Sequence, residues 1–130
     1  MQIDRYTCPC CGYRTFHGWP GSYEICHVCF WEDDPVQILD PWFRGGANRP
    51  SLVDAQENYV KLGAMEQRFL KNVRGVLSSD KRDDHWRRVT ESDRQGVRTP
   101  AALSDEECRD LNVWYYWKRS AVERACSGPG

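Results

Sequence analysis

The sequence predicts an α+β fold, on three observations. Two Cys-x-x-Cys pairs stand in a Cys-, Gly- and aromatic-rich stretch at 1–34. A segment opening at Ser51 repeats apolar residues at helical spacing, and a helix-start signal at Ser104 leads into an aromatic segment that runs to about 125. Polar or Gly/Pro-rich connectors separate these regions, and the chain shows no internal repeat. The expected organisation is a small module at 1–34 with short strands, packed on a body of two or three α-helices at 35–130 with a polar loop at about 78–99. The two parts together are expected to form one compact unit. With 130 residues the chain is long enough for a single real core, since a domain of this size buries roughly two-thirds of its unfolded surface.

The first element is carried by Cys8-Pro9-Cys10-Cys11-Gly12 and Cys26-His27-Val28-Cys29, with 14 residues between Cys11 and Cys26. Two residues between thiolates let a tight turn bring both sulfurs to one face, at metal–sulfur distances of about 2.3 Å, and two such turns complete a tetrahedron. Glycine after the second ligand supplies the positive φ that such a turn often needs. The spacing predicts a zinc ribbon or knuckle pair holding one structural Zn2+ through Cys8, Cys11, Cys26 and Cys29. Cys10 is then the spare thiol. His17 and His27 are nearby imidazoles, read as surface residues because four thiolates already satisfy the metal. A redox dithiol needs only one pair, so two matched pairs argue against it. A closed four-ligand site leaves no position for activating water, and its binding energy, on the order of 10 kcal/mol, organises a segment with few aliphatic core formers.

Next comes a connector from Asp34-Pro35 to Arg49-Pro50, whose Asp40-Pro41 and Gly45-Gly46 are turn chemistry. Glu32-Asp33-Asp34, with Asp40 nearby, offers carboxylates for a second cation or for acid–base work. Acidic residues before a proline also serve as turn and helix-start residues, which is the reading preferred here. Ser51-Leu-Val-Asp54 is an N-cap followed by an acid in the first turn. Leu52, Ala55, Tyr59 and Leu62 then share a helical face, and Gly63 ends the helix. Met65, Phe69 and Val73 suggest a second short helix from Ala64. The stretch at 78–99 is Ser-, Asp-, Arg- and Thr-rich and reads as surface loop.

Ser104-Asp-Glu-Glu107 has the pattern of a capping box and predicts a helix from 105. Leu111-Asn-Val-Trp-Tyr-Tyr-Trp117 would also suit a strand, and the helix is preferred. On a helix, Trp114, Tyr115, Tyr116 and Trp117 fan around most of the circumference. One expectation is an exposed aromatic patch that binds a partner; the other is a helix clamped between two elements. Cys126-Ser-Gly-Pro-Gly130 has the composition of a frayed tail. Neither Cys108 nor Cys126 sits in a nucleophile motif.

Charge and targeting signals narrow the function classes. The 18 basic and 19 acidic residues give a net charge of -1, so no global field draws the chain to nucleic acid or an anionic membrane. A nucleic-acid function would need a local basic patch. Residues 61–98 hold ten bases against six acids, but the signs are interleaved. No apolar run is long enough to span a bilayer, and the opening residues lack a signal peptide, so a soluble cytoplasmic protein is expected.

The residues Tyr6-Thr-Cys-Pro-Cys-Cys-Gly-Tyr13, Tyr23-Glu-Ile-Cys-His-Val-Cys-Phe-Trp-Glu-Asp-Asp34, Gly45-Gly-Ala-Asn48 and Ser51 through Tyr59 to Gly63-Ala64 resemble the bacterial cysteine-rich CPCC family. The resemblance covers about the first 75 residues, with a weaker echo in Lys81-Arg-Asp-Asp-His-Trp86. It implies a small zinc-binding protein with no agreed enzymatic activity. Some such proteins occur near bacterial polymorphic toxin systems, which implies an immunity or partner-binding role. The expected function is therefore a non-enzymatic zinc-binding protein that binds another protein, as an immunity-like inhibitor of a toxin. The first alternative is a nucleic-acid-binding zinc module, and the second a metal-assisted hydrolase using the acidic cluster.

Overall fold

The computed structural model describes residues 5–119. Strand β1 (Tyr6–Thr7) pairs antiparallel with β2 (Arg14–Phe16), Tyr6 opposite Phe16 and Thr7 opposite Arg14, with an irregularity between the two pairs. The first cysteine turn joins them. Two isolated bridges, Tyr13 with Arg82 and Ile25 with Glu32, add the remaining β pairing. Helices make up the rest of the regular structure, so the fold is α+β. Among the described residues no helix is long and apolar enough to cross a membrane.

Helix α1 (Pro35–Leu39) opens the connector at Asp34-Pro35, where turn and helix-start chemistry is expected. The Asp34 carboxylate accepts the Val36 N–H at 2.7 Å and Pro35 occupies the first turn, where a missing N–H costs nothing. Five residues are too few to display a helical period. Helix α2 (Leu52–Leu62) agrees with expectation at both ends: the Ser51 hydroxyl accepts the Asp54 N–H at 3.1 Å, and Gly63 takes φ 92°. Leu52, Ala55 and Gln56 are buried, whereas Leu62 is 43% exposed and does not belong to the buried face.

The helix expected from Ala64 reduces to a 3-10 turn at Gln67–Phe69. Its would-be first turn is diverted because the Met65 N–H donates to the Cys29 carbonyl at 2.8 Å. The 78–99 stretch is largely irregular but is not merely surface. It contains a 3-10 helix at Glu91–Gly96, capped by Thr90 and Asp93, and buries Asp83 and Asp93.

After another 3-10 turn at Pro100–Ala102, the helical signal at Ser104 produces α3 (Asp105–Cys108), then α4 (Leu111–Trp114), then a helical turn at 116–119. The Asp110 carboxylate caps α4 by accepting the Asn112 N–H at 2.9 Å, which is why the predicted single helix is broken. No strand forms over 111–117.

The break at Tyr115 resolves the crowding of four consecutive aromatics. Trp114, Tyr115, Tyr116 and Trp117 are all buried, at 6% exposure or less, so the exposed aromatic patch expected there does not exist. Tyr115 stacks on Trp117 with centroids 4.4 Å apart, and Tyr116 meets Trp117 edge-on at 4.9 Å. Their polar atoms are satisfied inside: the Tyr115 hydroxyl accepts the Thr7 N–H, Tyr116 donates to the Arg87 carbonyl, and the Trp117 indole N–H donates to Asp83. They belong to one core with Trp31, Ile38, Leu39, Leu52 and five cysteines.

Candidate metal centre

Each cysteine pair sits in the same turn. The Gly12 N–H donates to the Cys8 carbonyl and the Cys8 N–H to the Tyr13 carbonyl; Phe30 with Cys26, and Cys26 with Trp31, repeat both bonds. The residue after each second cysteine has positive φ, 82° at Gly12 and 73° at Phe30. A phenylalanine in the left-handed region carries strain of about 1–2 kcal/mol. The second turn thus has the same geometry as the first without the glycine that makes it easy. Gly12 is doubly required, because a Cβ there would lie 2.6 Å from the Trp86 ring.

These turns bring together the four cysteines that the spacing selected. Their sulfurs all lie within 4.8 Å of one another and all four residues are fully buried. Cys8 and Cys29 are 3.6 Å apart and Cys11 and Cys26 3.7 Å. The sulfur–sulfur edge of a tetrahedral site with bonds near 2.3 Å is about 3.8 Å, so the donor set fits a single tetrahedral metal ion. Burial raises the thiols of Cys8, Cys11 and Cys29 above the ordinary cysteine value, whereas hydrogen bonds, led by that with Cys11, hold Cys26 well below it. A dication supplies the charge that lets four such neighbours ionise together. With four protein donors it would have no open position, and its chemistry would be structural.

The surroundings orient the site. The Thr15 hydroxyl donates to the Cys26 sulfur at 3.1 Å, and the Arg82 Nε–H donates to the Cys11 carbonyl at 3.2 Å. Cys10 is buried beside Cys29 but is not one of the four grouped sulfurs. His17 is exposed and pairs with Glu24 at 3.2 Å, and His27 is exposed on the outer side of its turn.

The acidic residues at 32–40 do not converge. Asp33 accepts the Gly21 N–H, the Ser22 N–H and the Ser22 hydroxyl. Asp34 caps α1 and also accepts the Ala47 N–H, and Asp40 accepts the Trp42 N–H. Burial pushes the Asp33 carboxyl up to about 6 despite its three donors.

Sequence reasoning missed the polar side chains that hold the site to the body. Gln56 donates to the Pro9 carbonyl and the Tyr116 hydroxyl, both at 2.9 Å, and accepts the Val89 N–H. Asp83 accepts from Thr7 at 2.8 Å, and its own N–H donates to the Gly12 carbonyl. Gln37 and Asn48 bond one another and fasten the 43–50 loop under Glu32. A glutamine between Ala55 and Tyr59, beside the apolar face of α2, was the one visible signal.

Among known protein families, the model described as Cysteine-rich CPCC matches residues 6–80, more than half of the chain. No curated protein matches the sequence.

Proposed function

The chain belongs to the cysteine-rich CPCC family, and on that premise we propose that it is a non-enzymatic protein that holds one structural zinc ion and binds another protein. The carrying observation is the buried group of four sulfurs on Cys8, Cys11, Cys26 and Cys29. A tetrahedral four-thiolate set suits zinc or an iron–sulfur centre, and elemental analysis separates them. One zinc per chain is expected, retained by Cys10→Ser and lost by Cys11→Ser. Full zinc in Cys11→Ser with loss in Cys10→Ser would overturn the ligand choice.

A closed coordination shell and carboxylates committed to backbone amides support a binding role over the hydrolase alternative. The chain works in the reducing cytoplasm, a reading supported by four cysteines gathered at metal-ligand spacing.

The partner is a protein, in the immunity-like role that the family resemblance implies. With 114–117 buried, the anchor lies elsewhere, on the loop between the cysteine pairs. There Trp19, Tyr23 and Ile25 are 36%, 52% and 42% exposed. Asp33 and Glu24 fasten that loop through backbone amides, and Tyr23 is held at φ 64°. A rigid loop presenting aromatic side chains loses little entropy on binding. In a pull-down from the native host, Tyr23→Ala is expected to lose the protein that the wild type retains, at unchanged zinc content. A partner retained equally by both would remove the loop from the interface.

The nucleic-acid alternative keeps one observation in its favour, a local group of cations beside the second cysteine turn.

A further inference from the structure

A cleft of about 630 Å³ opens next to the metal centre, between β2, the second cysteine turn and residues 74–84. Its charged lining is five cations, Arg5, Arg14, Arg74, Lys81 and Arg82, against Asp80 and Asp84. Arg74 is committed to Asp80 through a two-point pair at 2.8 and 2.9 Å. Four cations then face Asp84. Among the described residues, Arg14 has only a distant ion-pair partner, Asp83 at 3.8 Å. Arg82 bonds the Cys11 carbonyl and lies over the Tyr13 and Trp86 rings, not against a carboxylate. Among the described residues, Arg5 and Lys81 have no carboxylate within ion-pair distance. Among the described residues, Asp80 and Asp84 are the acids that line the cleft.

The walls are fixed by backbone bonds to the cysteine turns. The Arg14 N–H donates to the Lys81 carbonyl at 2.8 Å, and the Arg74 N–H to the His27 carbonyl at 3.1 Å. Thr15, whose hydroxyl bonds Cys26, forms part of the lining. Like charges held close on a fixed frame are costly until an anion arrives, and the frame makes no entropy demand when it does.

We propose that this cleft is a binding site for a phosphate-bearing ligand carrying at least two negative charges. Guanidinium forks match the paired oxygens of a phosphate, Lys81 adds a point charge, and the Ser79 hydroxyl is a further donor. The volume lies within the range of small-molecule sites. The phosphate comes either from a free nucleotide or from a nucleic-acid strand. The cleft does not use Trp19, Tyr23 or Ile25, and its failure would leave the protein-partner reading untouched.

The test is calorimetric titration of the zinc-loaded full chain with inorganic pyrophosphate, ADP and a short single-stranded RNA, at low and physiological salt. Saturable one-to-one binding of pyrophosphate and ADP is expected, weakened about tenfold by Arg14→Gln and by Lys81→Gln. Arg94→Gln, whose side chain lies over Trp42, is expected to change nothing. ADP bound as tightly as RNA identifies a free nucleotide as the source. Tighter RNA binding with a steeper salt dependence identifies the strand. Amide shift changes at Thr15 and Lys81 on adding pyrophosphate to the wild type give a readout that does not depend on variant folding. The proposal is overturned by no saturable phosphate binding at low salt, by binding unchanged in the Arg14→Gln/Lys81→Gln double variant, or by a polyglutamate peptide binding where pyrophosphate does not.

Discussion

Gly12→Ala tests the first cysteine turn at a single atom. The added Cβ meets two penalties. Alanine at φ 82° costs about 1 kcal/mol for the left-handed conformation. The Cβ would also lie 2.6 Å from both Cδ2 and Cε3 of Trp86. That ring can retreat only by giving up the 2.9 Å hydrogen bond from its indole N–H to the Pro9 carbonyl, an overpacking cost of about 2 kcal/mol. The sum is about 3 kcal/mol. Because forming the site and folding this turn are one process, zinc affinity is expected to fall about a hundredfold. A double-mutant cycle with Trp86→Ala separates the terms. In that background Gly12→Ala retains only its backbone cost of about 1 kcal/mol, leaving a coupling of about 2 kcal/mol. Urea unfolding followed by far-UV circular dichroism gives the stabilities, and competition with a chromophoric chelator gives the zinc affinity. Equal costs in both backgrounds would show that Trp86 does not define the turn.

Chelation is expected to abolish amide exchange protection at 6–31 and at Met65, Arg74 and Asp83, which donate to carbonyls of the cysteine turns. The α2 amides keep more of theirs, and unchanged protection at 6–31 would refute the structural role of the metal. Asp33→Asn probes pH. A buried carboxyl raised to about 6 contributes stability while protonated and loses it as pH rises through 6. The variant should therefore gain on wild type by on the order of 2 kcal/mol between pH 4.5 and 7.5, measured by thermal unfolding, and a flat difference would contradict the burial. Trp117→Ala should cost about 3–5 kcal/mol, since the side chain is 2% exposed; a loss under about 0.5 kcal/mol would restore the surface-patch reading.

The parts of the fold written locally were legible in the sequence. Cysteine spacing, the Ser51 and Gly63 caps and the Ser104 capping box each depend on residues within a turn or two, and each appears where the pattern put it. What depended on partners far along the chain was not legible. Met65 leaves the helical path because Cys29 takes its N–H, and the four aromatics at 114–117 are covered by Thr7, Gln56 and Asp83, up to 108 residues away. The exposed patch was inferred from helical geometry, and a break at Tyr115 removed that premise. Asp34 was legible as a helix start, though the helix it starts was too short to see.

The cysteine turns also explain why distant segments gather around them. A turn that points two sulfurs inward points its carbonyls outward, and buried carbonyls need donors. Pro9 receives Gln56 and Trp86, Cys11 receives Arg82, Gly12 receives Asp83, His27 receives Arg74 and Cys29 receives Met65. Those donors come from α2, from Met65 shortly after it and from the 74–86 segment, and they include two cations of the basic cleft. The geometry of the cysteine turns therefore sets carbonyl positions, and carbonyl positions set where the long polar stretch runs. An irregular segment with few apolar residues lacks the burial to fix itself. Here it borrows its order from the turns that gather the four sulfurs.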